Sequence, residues 1–117
     1  MLYELRSYDI DPDRWDEYLA WVTARGLPCL CDAFRFRLVG FWQAMAKEGQ
    51  APPTTNLHYI LAWESEAEMR ERYAALVASA AWKALSAEMR DPATGERKWV
   101  RQTRSVLLRA LPPSPLQ

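Results

Sequence analysis

The side chains in this 117-residue chain with the means to do chemistry are one histidine, two pairs of strand-borne charges and a stripe of aromatics. His58 is the only group whose ordinary pKa lies near neutrality, which makes it the candidate general acid or base. It has no visible catalytic partner in sequence, and a strand residue at the end of a loop is the plainer reading. Glu4 and Arg6 alternate onto one face of the first strand, where charges are costly to desolvate unless paired. They can form a polar floor whose guanidinium takes a carboxylate or phenol-like ligand, or simply a structural ion pair. Arg101 and Arg104 on the last strand carry the same two readings. Tyr3, Tyr59 and Trp63 are the candidate walls of a pocket between sheet and helices, although such a stripe is more often plain core.

Other chemistries find little here. Cys29 and Cys31 sit one residue apart, too close for an unstrained disulfide, and behave as small buried hydrophobes. A zinc site needs about four converging ligands, and two Cys with one His do not supply them. There is no glycine-rich phosphate loop, no G-x-S-x-G and no metal-binding His pair. No catalytic residue beyond the candidate His58 is assigned, and no cofactor or metal is expected.

These residues need elements to hold them. Residues 2–10 alternate as a strand, with Tyr3, Leu5 and Ser7 on one face and Leu2, Glu4, Arg6, Tyr8 and Ile10 on the other. Asp11 and Pro12 then open a helix, with Asp13 and Asp16 at the positive end of its dipole. Trp15, Tyr18, Leu19 and Val22 form its apolar stripe, and Gly26 and Pro28 predict a break or kink before a shorter piece to Phe34. Residues 36–45 predict the second strand and 57–64 the third, with Leu57, Tyr59, Leu61 and Trp63 on one face. Ser65-x-x-Glu68 is a capping box. The helix it opens carries Met69, Tyr73, Leu76, Val77 and Ala80, and a second stripe of Trp82, Leu85 and Met89 runs to Asp91-Pro92. Residues 98–110 alternate as the last strand, and the prolines at 112, 113 and 115 end it.

The pattern is β-α-β-β-α-β, the ferredoxin-like α+β arrangement: a four-stranded antiparallel sheet with helices on one face. The expected organisation is one domain over residues 1–111 with a proline-rich tail over 112–117. The other sheet face, with Tyr8, Ile10 and Ile60 or their counterparts, would be left wet. Burying it against a second copy predicts a homodimer.

Composition narrows the partners. Fifteen basic and fifteen acidic side chains cancel, so the chain lacks the basic footprint of nucleic-acid binding. No apolar run is long enough to span a bilayer, and early charge at Glu4 and Arg6 argues against a secretory leader. With its two free cysteines, the expected setting is the reducing cytoplasm. Six Trp, five Tyr and three Phe are a heavy aromatic load, able to build a core, an interface or a ligand pocket.

Six stretches in order resemble the NIPSNAP family. They are Tyr3-Glu4-Leu5-Arg6-Ser7-Tyr8, Gly26-Leu27-Pro28, Leu38-Val39-Gly40-Phe41-Trp42, Tyr59-Ile60-Leu61-Ala62-Trp63-Glu64 with Met69 and Arg70, Trp82, and Leu107-Leu108-Arg109 with the proline-bearing end. The resemblance covers nearly the whole chain and implies a dimeric α/β barrel, in which two ferredoxin-like sheets close on each other. It implies no settled activity. Two departures stand out: Leu61 occupies the place where many relatives carry a His, so no role is carried over from that residue, and the loop from Lys47 to Thr55 is longer and richer in proline.

The function expected from all this is a small hydrophobic or aromatic molecule bound between sheet and helices, with Tyr3, Arg6, Tyr59 and Trp63 as ligand-binding candidates. The alternatives are a small cofactor-independent enzyme on the same fold, a monooxygenase or an isomerase, and a subunit that only mediates protein–protein contact.

Overall fold

A computed structural model describes all residues, Met1–Gln117. Its strands are β1 (Leu2–Ile10), β2 (Arg37–Gln43), β3 (Leu57–Trp63) and β4 (Val100–Arg109). The helices are α1 (Trp15–Trp21), α2 (Glu66–Ala78) and α3 (Ala80–Glu88). The sheet order is β2-β3-β1-β4, antiparallel throughout, which places β1 and β3 in the middle. The molecule is a slab 20 Å at its thinnest, room for one sheet and one layer of helices. This is the ferredoxin-like α+β architecture.

Register sorts the side chains. Glu4 lies opposite Leu61, Arg6 opposite Tyr59 and Tyr8 opposite Leu57, and residues directly opposite in a ladder share a face. Leu57, Tyr59, Leu61 and Trp63 are all buried with Tyr18, Val22, Leu76 and Leu85 from the helices. The face carrying Glu4, Arg6 and Tyr8 is therefore the one the helices cover. Tyr3, Leu5, Ser7, His58 and Ile60 point the other way. This corrects the placement of Tyr8 and Ile10 on the open face: Ile10 is a core residue, 1% exposed.

The first helical stretch departs from expectation. Gly26 and Pro28 do not interrupt it; the chain widens instead into two π-helical segments, Val22–Gly26 and Pro28–Ala33. Leu27 N donates to Val22 O and Phe34 N to Cys29 O, each five residues back. Pro28 has no N–H to give, so the ordinary ladder cannot run through it, and widened turns are the result. Gly26 sits under Trp21, where a Cβ would come within 3.0 Å of the indole. In α1 itself Tyr18 is buried, but Leu19 is exposed. At the far end Arg35 takes a left-handed φ of 61°, turning the chain so that Phe36 enters the core.

The second helical stretch is two helices rather than one. Ser65 Oγ accepts from Glu68 N at 3.1 Å, and the Glu68 carboxylate reaches back to Glu64 N at 2.7 Å. The same carboxylate takes Arg37 Nη2 from β2, so the cap also ties helix to sheet. Ser79 then stops α2 and starts α3: its backbone is extended, its Oγ donates to Leu76 O and accepts from Trp82 N. The break turns Val77 out to solvent and puts Ala80 at the head of α3.

β2 and β4 are shorter than the sequence pattern suggested, and residues 44–45 and 98–99 lie outside them. The tail is not detached, since the Tyr3 hydroxyl donates to Gln117 O at 3.1 Å. Replacing Ser79 with Ala removes the start of one helix and the stop of another. The expected cost is about 1–2 kcal/mol by urea unfolding; no change would show that tertiary packing alone sets the break.

Candidate functional site

The site is built on the middle of β1. Glu4 is 3% exposed and could not stay charged there alone. Its Oε1 accepts from Trp63 Nε1 at 3.1 Å and Tyr73 Oη at 2.8 Å, and its Oε2 from Arg6 Nη1 at 3.0 Å and Ser105 Oγ at 2.7 Å. Burial pushes its pKa up, but the hydrogen bonds from Ser105 and Tyr73 and the Arg6 charge together outweigh it, and the carboxyl titrates below its ordinary value. Each of three elements, β3, β4 and α2, sends one donor to this carboxylate.

Arg6 lies two residues along on the same face. Its Nε donates to Tyr59 Oη at 2.8 Å and to Tyr8 Oη at 3.2 Å, and Nη1 also approaches Tyr73 Oη at 3.4 Å. Its guanidinium carbon stands 5.6–5.9 Å from the ring centres of Tyr8, Tyr59 and Tyr73, a geometry that adds cation–π attraction. Burial opposes the charge, and the surrounding phenols more than offset it, so Arg6 stays a cation. Tyr8 and Tyr59 share a 2.7 Å hydrogen bond with their rings edge to face. Burial raises the pKa of Tyr59 and Tyr73, so both remain protonated.

Beside this cluster runs a cleft. Its outer part, about 210 Å³, is walled by Tyr8, Trp82 and Met89, with Thr103 and Val100 of β4 opposite and Arg90, Arg97 and Ser86 at the rim. An inner part of about 60 Å³, which shares Tyr8, Trp82 and Met89 with the outer one, lies among Tyr59, Phe41, Tyr18 and Trp21 and against Gly26, Leu27 and Leu30 of the π-helical stretch. The cleft exists because the helix layer stops short of β4, whose Thr103, Ser105 and Leu107 share the helix-side face yet remain exposed. Wide π-helical turns recur at functional sites, and here they form one wall.

Of the sequence candidates, Arg6, Tyr59 and Trp63 come together on the helix-covered face, Trp63 as core that holds Glu4. Tyr3 does not join them; it sits on the open face against the tail, because odd and even residues of β1 part company. His58 is also on the open face, its Nδ1 2.9 Å from Ser7 Oγ, with the sheet between it and Arg6. Arg104 pairs with Asp9 at 3.1 Å and Arg101 with Asp11 at 3.2 Å, both outside the cleft. Cys29 and Cys31 are free thiols whose pKa burial raises. Tyr8, Tyr73, Ser105 and Trp82 were missed as site residues. Tyr8 was legible from its alternation with Glu4 and Arg6; Tyr73 and Ser105 depend on which strand and helix become neighbours. A larger hollow of about 710 Å³ lies at the end of the sheet around Asp13, Arg14, Pro52 and Arg101, and none of the candidate ligand residues lines it.

A sheet of this order, roofed on one face by helices, defines a ferredoxin-like protein with a polar cluster beneath the roof. The NIPSNAP family model matches residues 3–115, and the chain belongs to that family. A NIPSNAP family protein of unknown function from Agrobacterium tumefaciens has a similar structure, 24% identical with a TM-score of 0.77, covering 100% of this chain and 94% of its own. An uncharacterized NIPSNAP domain protein from Burkholderia xenovorans is 20% identical with a TM-score of 0.76, over 98% and 99% of the two chains. An antibiotic biosynthesis monooxygenase is more distant, 18% identical at a TM-score of 0.53 over 96% and 100%. No curated protein matches the chain in sequence. At these identities the likeness concerns the fold.

Two outcomes test the cluster. An unfolded glutamate titrates near 4.5 and the folded Glu4 below it, so the folded state binds fewer protons in that interval. The stability this group confers is present above about pH 4.5 and lost as pH falls through its folded value. Glu4→Gln is expected to cost about 3 kcal/mol at pH 7, because Arg6 loses its counter-charge, and to flatten the acid limb of a pH–stability profile. An unchanged acid limb would place the titrating group elsewhere. Trp63→Ala removes a side chain 1% exposed and a donor to Glu4; thermal unfolding should show a loss of about 3–5 kcal/mol.

Proposed function

We propose that the protein is a small-molecule binder, taking a hydrophobic or aromatic molecule into the cleft between sheet and helices, and that it works as a homodimer. The observation that carries the binding reading is the cleft itself: its aromatic walls, Trp21 and Trp82 among them, include Tyr8 and Tyr59, the two phenols that hydrogen-bond Arg6, and Arg90 and Arg97 stand at the rim. Small-molecule sites are built in this way, mostly apolar with a few placed polar groups.

The homodimer reading rests on the uncovered sheet face. Leu5, Ile60, Val106 and Leu108 share that face by register, with Trp42, 49% exposed, folded flat over Gly40. Leu111 and Leu116 of the tail extend the apolar surface. A second copy is the partner whose matching face would close it. The chain reads as one domain over 1–111 with the tail over 112–117 folded back on that face. No helix is long and apolar enough to cross a membrane, and free thiols suit a reducing compartment such as the cytoplasm.

A catalytic reading, a cofactor-independent monooxygenase or isomerase, keeps the support of the monooxygenase fold likeness but loses that of His58, which does not share a cavity with Arg6. A purely protein-binding subunit is disfavoured by the cleft. Native mass spectrometry tests both proposals. The expected result is a dimer that takes up toluene or a comparable single-ring aromatic, with Trp82→Ala weakening uptake at least fivefold and Val106→Lys giving monomers. A monomer at every concentration overturns the dimer, and failure to bind any aromatic overturns the cleft.

A further inference from the structure

The Tyr8–Tyr59 pair does not close its own hydrogen-bond count. Two phenols bring two protons, and one of them fills the 2.7 Å bridge. The other neighbour of both oxygens is Arg6 Nε, itself a donor, so the second proton has no acceptor within the chain. Tyr59 is 6% exposed, and an unpaired hydroxyl proton there carries the full desolvation penalty. Tyr8 is half-buried and walls both parts of the cleft. The favoured direction is Arg6 to Tyr59 to Tyr8, which leaves the free proton on Tyr8.

The remaining capacity of the cluster has one sign. Arg6 spends Nε and Nη1 on its neighbours, and Nη2 has no partner. That nitrogen is not sealed in, since the one buried side-chain polar atom without a partner is Arg37 Nε. Glu4 already accepts four hydrogen bonds, two on each oxygen, the number a carboxylate can take. Donors are left over, and acceptors are not. A neutral phenol, alcohol or amine would bring a proton of its own that this cluster cannot receive. A carbonyl or phenolate oxygen brings lone pairs only. Since Glu4 already balances Arg6, a charge spread over a ring is better tolerated than a localised carboxylate.

We infer that the polar end of the cleft recognises an aromatic molecule through a proton-free oxygen, a ring-conjugated carbonyl or a phenolate, with the Tyr8 hydroxyl as its principal donor and Arg6 behind it. This rests on the cleft being a binding site, and it adds the chemical class of the ligand. The arrangement is that of an oxyanion hole: donors fixed in a partly dry site, strengthened by a relay from a cation.

The test pairs 4-nitrophenol with 4-nitrotoluene, which share ring and nitro group and differ in the oxygen. Binding is measured by calorimetry, and ionisation of bound nitrophenol by its absorbance, at a pH where the free probe is mostly neutral. The wild type is expected to prefer nitrophenol about tenfold and to bind it as the coloured phenolate. Tyr8→Phe, which keeps the ring and removes only the hydroxyl, should abolish both the preference and the colour, with its fold verified separately by circular dichroism and thermal unfolding. Tyr59→Phe, which leaves the Tyr8 proton free, should keep most of the preference. Equal binding of the two probes, or a preference that survives Tyr8→Phe and disappears in Tyr59→Phe, overturns the inference while leaving the cleft intact. If neither probe binds, the cleft reading fails, and the inference fails with it.

Discussion

A carboxylate and a guanidinium one side chain apart on the central strand impose the main constraint on this fold. Burying Glu4 and Arg6 without full compensation would cost several kcal/mol for each ion. Their attraction does not meet that cost unaided. It is met by Trp63 from β3, Ser105 from β4, and Tyr73 from α2, with Tyr59 and Tyr8 closing around the guanidinium. Each donor comes from a different part of the chain. The cluster therefore exists only when the strand order and helix placement are those observed, and it ties register to topology in a way that an apolar core does not.

The same constraint shapes the cleft. Phenols recruited to surround Arg6 present their ring faces and edges to the space under α3, where Trp82 and Met89 complete the walls. The π-helical stretch after α1 keeps that space from filling: Gly26 and Pro28 hold the backbone wide and close to Trp21. Fold stability and the walls of the cleft thus draw on one set of residues, and the aromatic load of the sequence is divided between them. On the opposite face the charges gather at the far end of β1, where Asp9 takes Arg104 and Thr55. Ser7, His58 and the aliphatic side chains beside them lie open, and Trp42 rests on Gly40 because any Cβ there would meet its ring.

Much of this was legible in the residues. Alternation gave the strands, the Ser65–Glu68 cap gave the start of α2, and the βαββαβ order gave the architecture. Alternation also placed Glu4 and Arg6 together. What it does not give is which face the helices cover, since both faces of β1 carry aromatics and aliphatics; hence Tyr3 was put in the pocket and Tyr8 outside it. Pro28 reads as a helix breaker, yet a missing N–H is equally accommodated by a wide turn when tertiary packing continues past it. The stop at Ser79 was hidden because small residues on both sides sustain a helical pattern. Tyr73 and Ser105 are ordinary in sequence; only long-range pairing makes them ligands of a carboxylate.

The central claim, that the Arg6 guanidinium is clamped by Glu4 and the three tyrosines, is most directly tested by NMR of arginine side chains. In the folded protein the Arg6 Nε–H should exchange slowly with water and resonate apart from exposed residues such as Arg70, with restricted rotation about the guanidinium bonds. Glu4→Gln, kept at a temperature where it is folded, should speed that exchange. An Arg6 signal that exchanges as fast as the surface arginines would contradict the clamp and the picture of the cleft built on it.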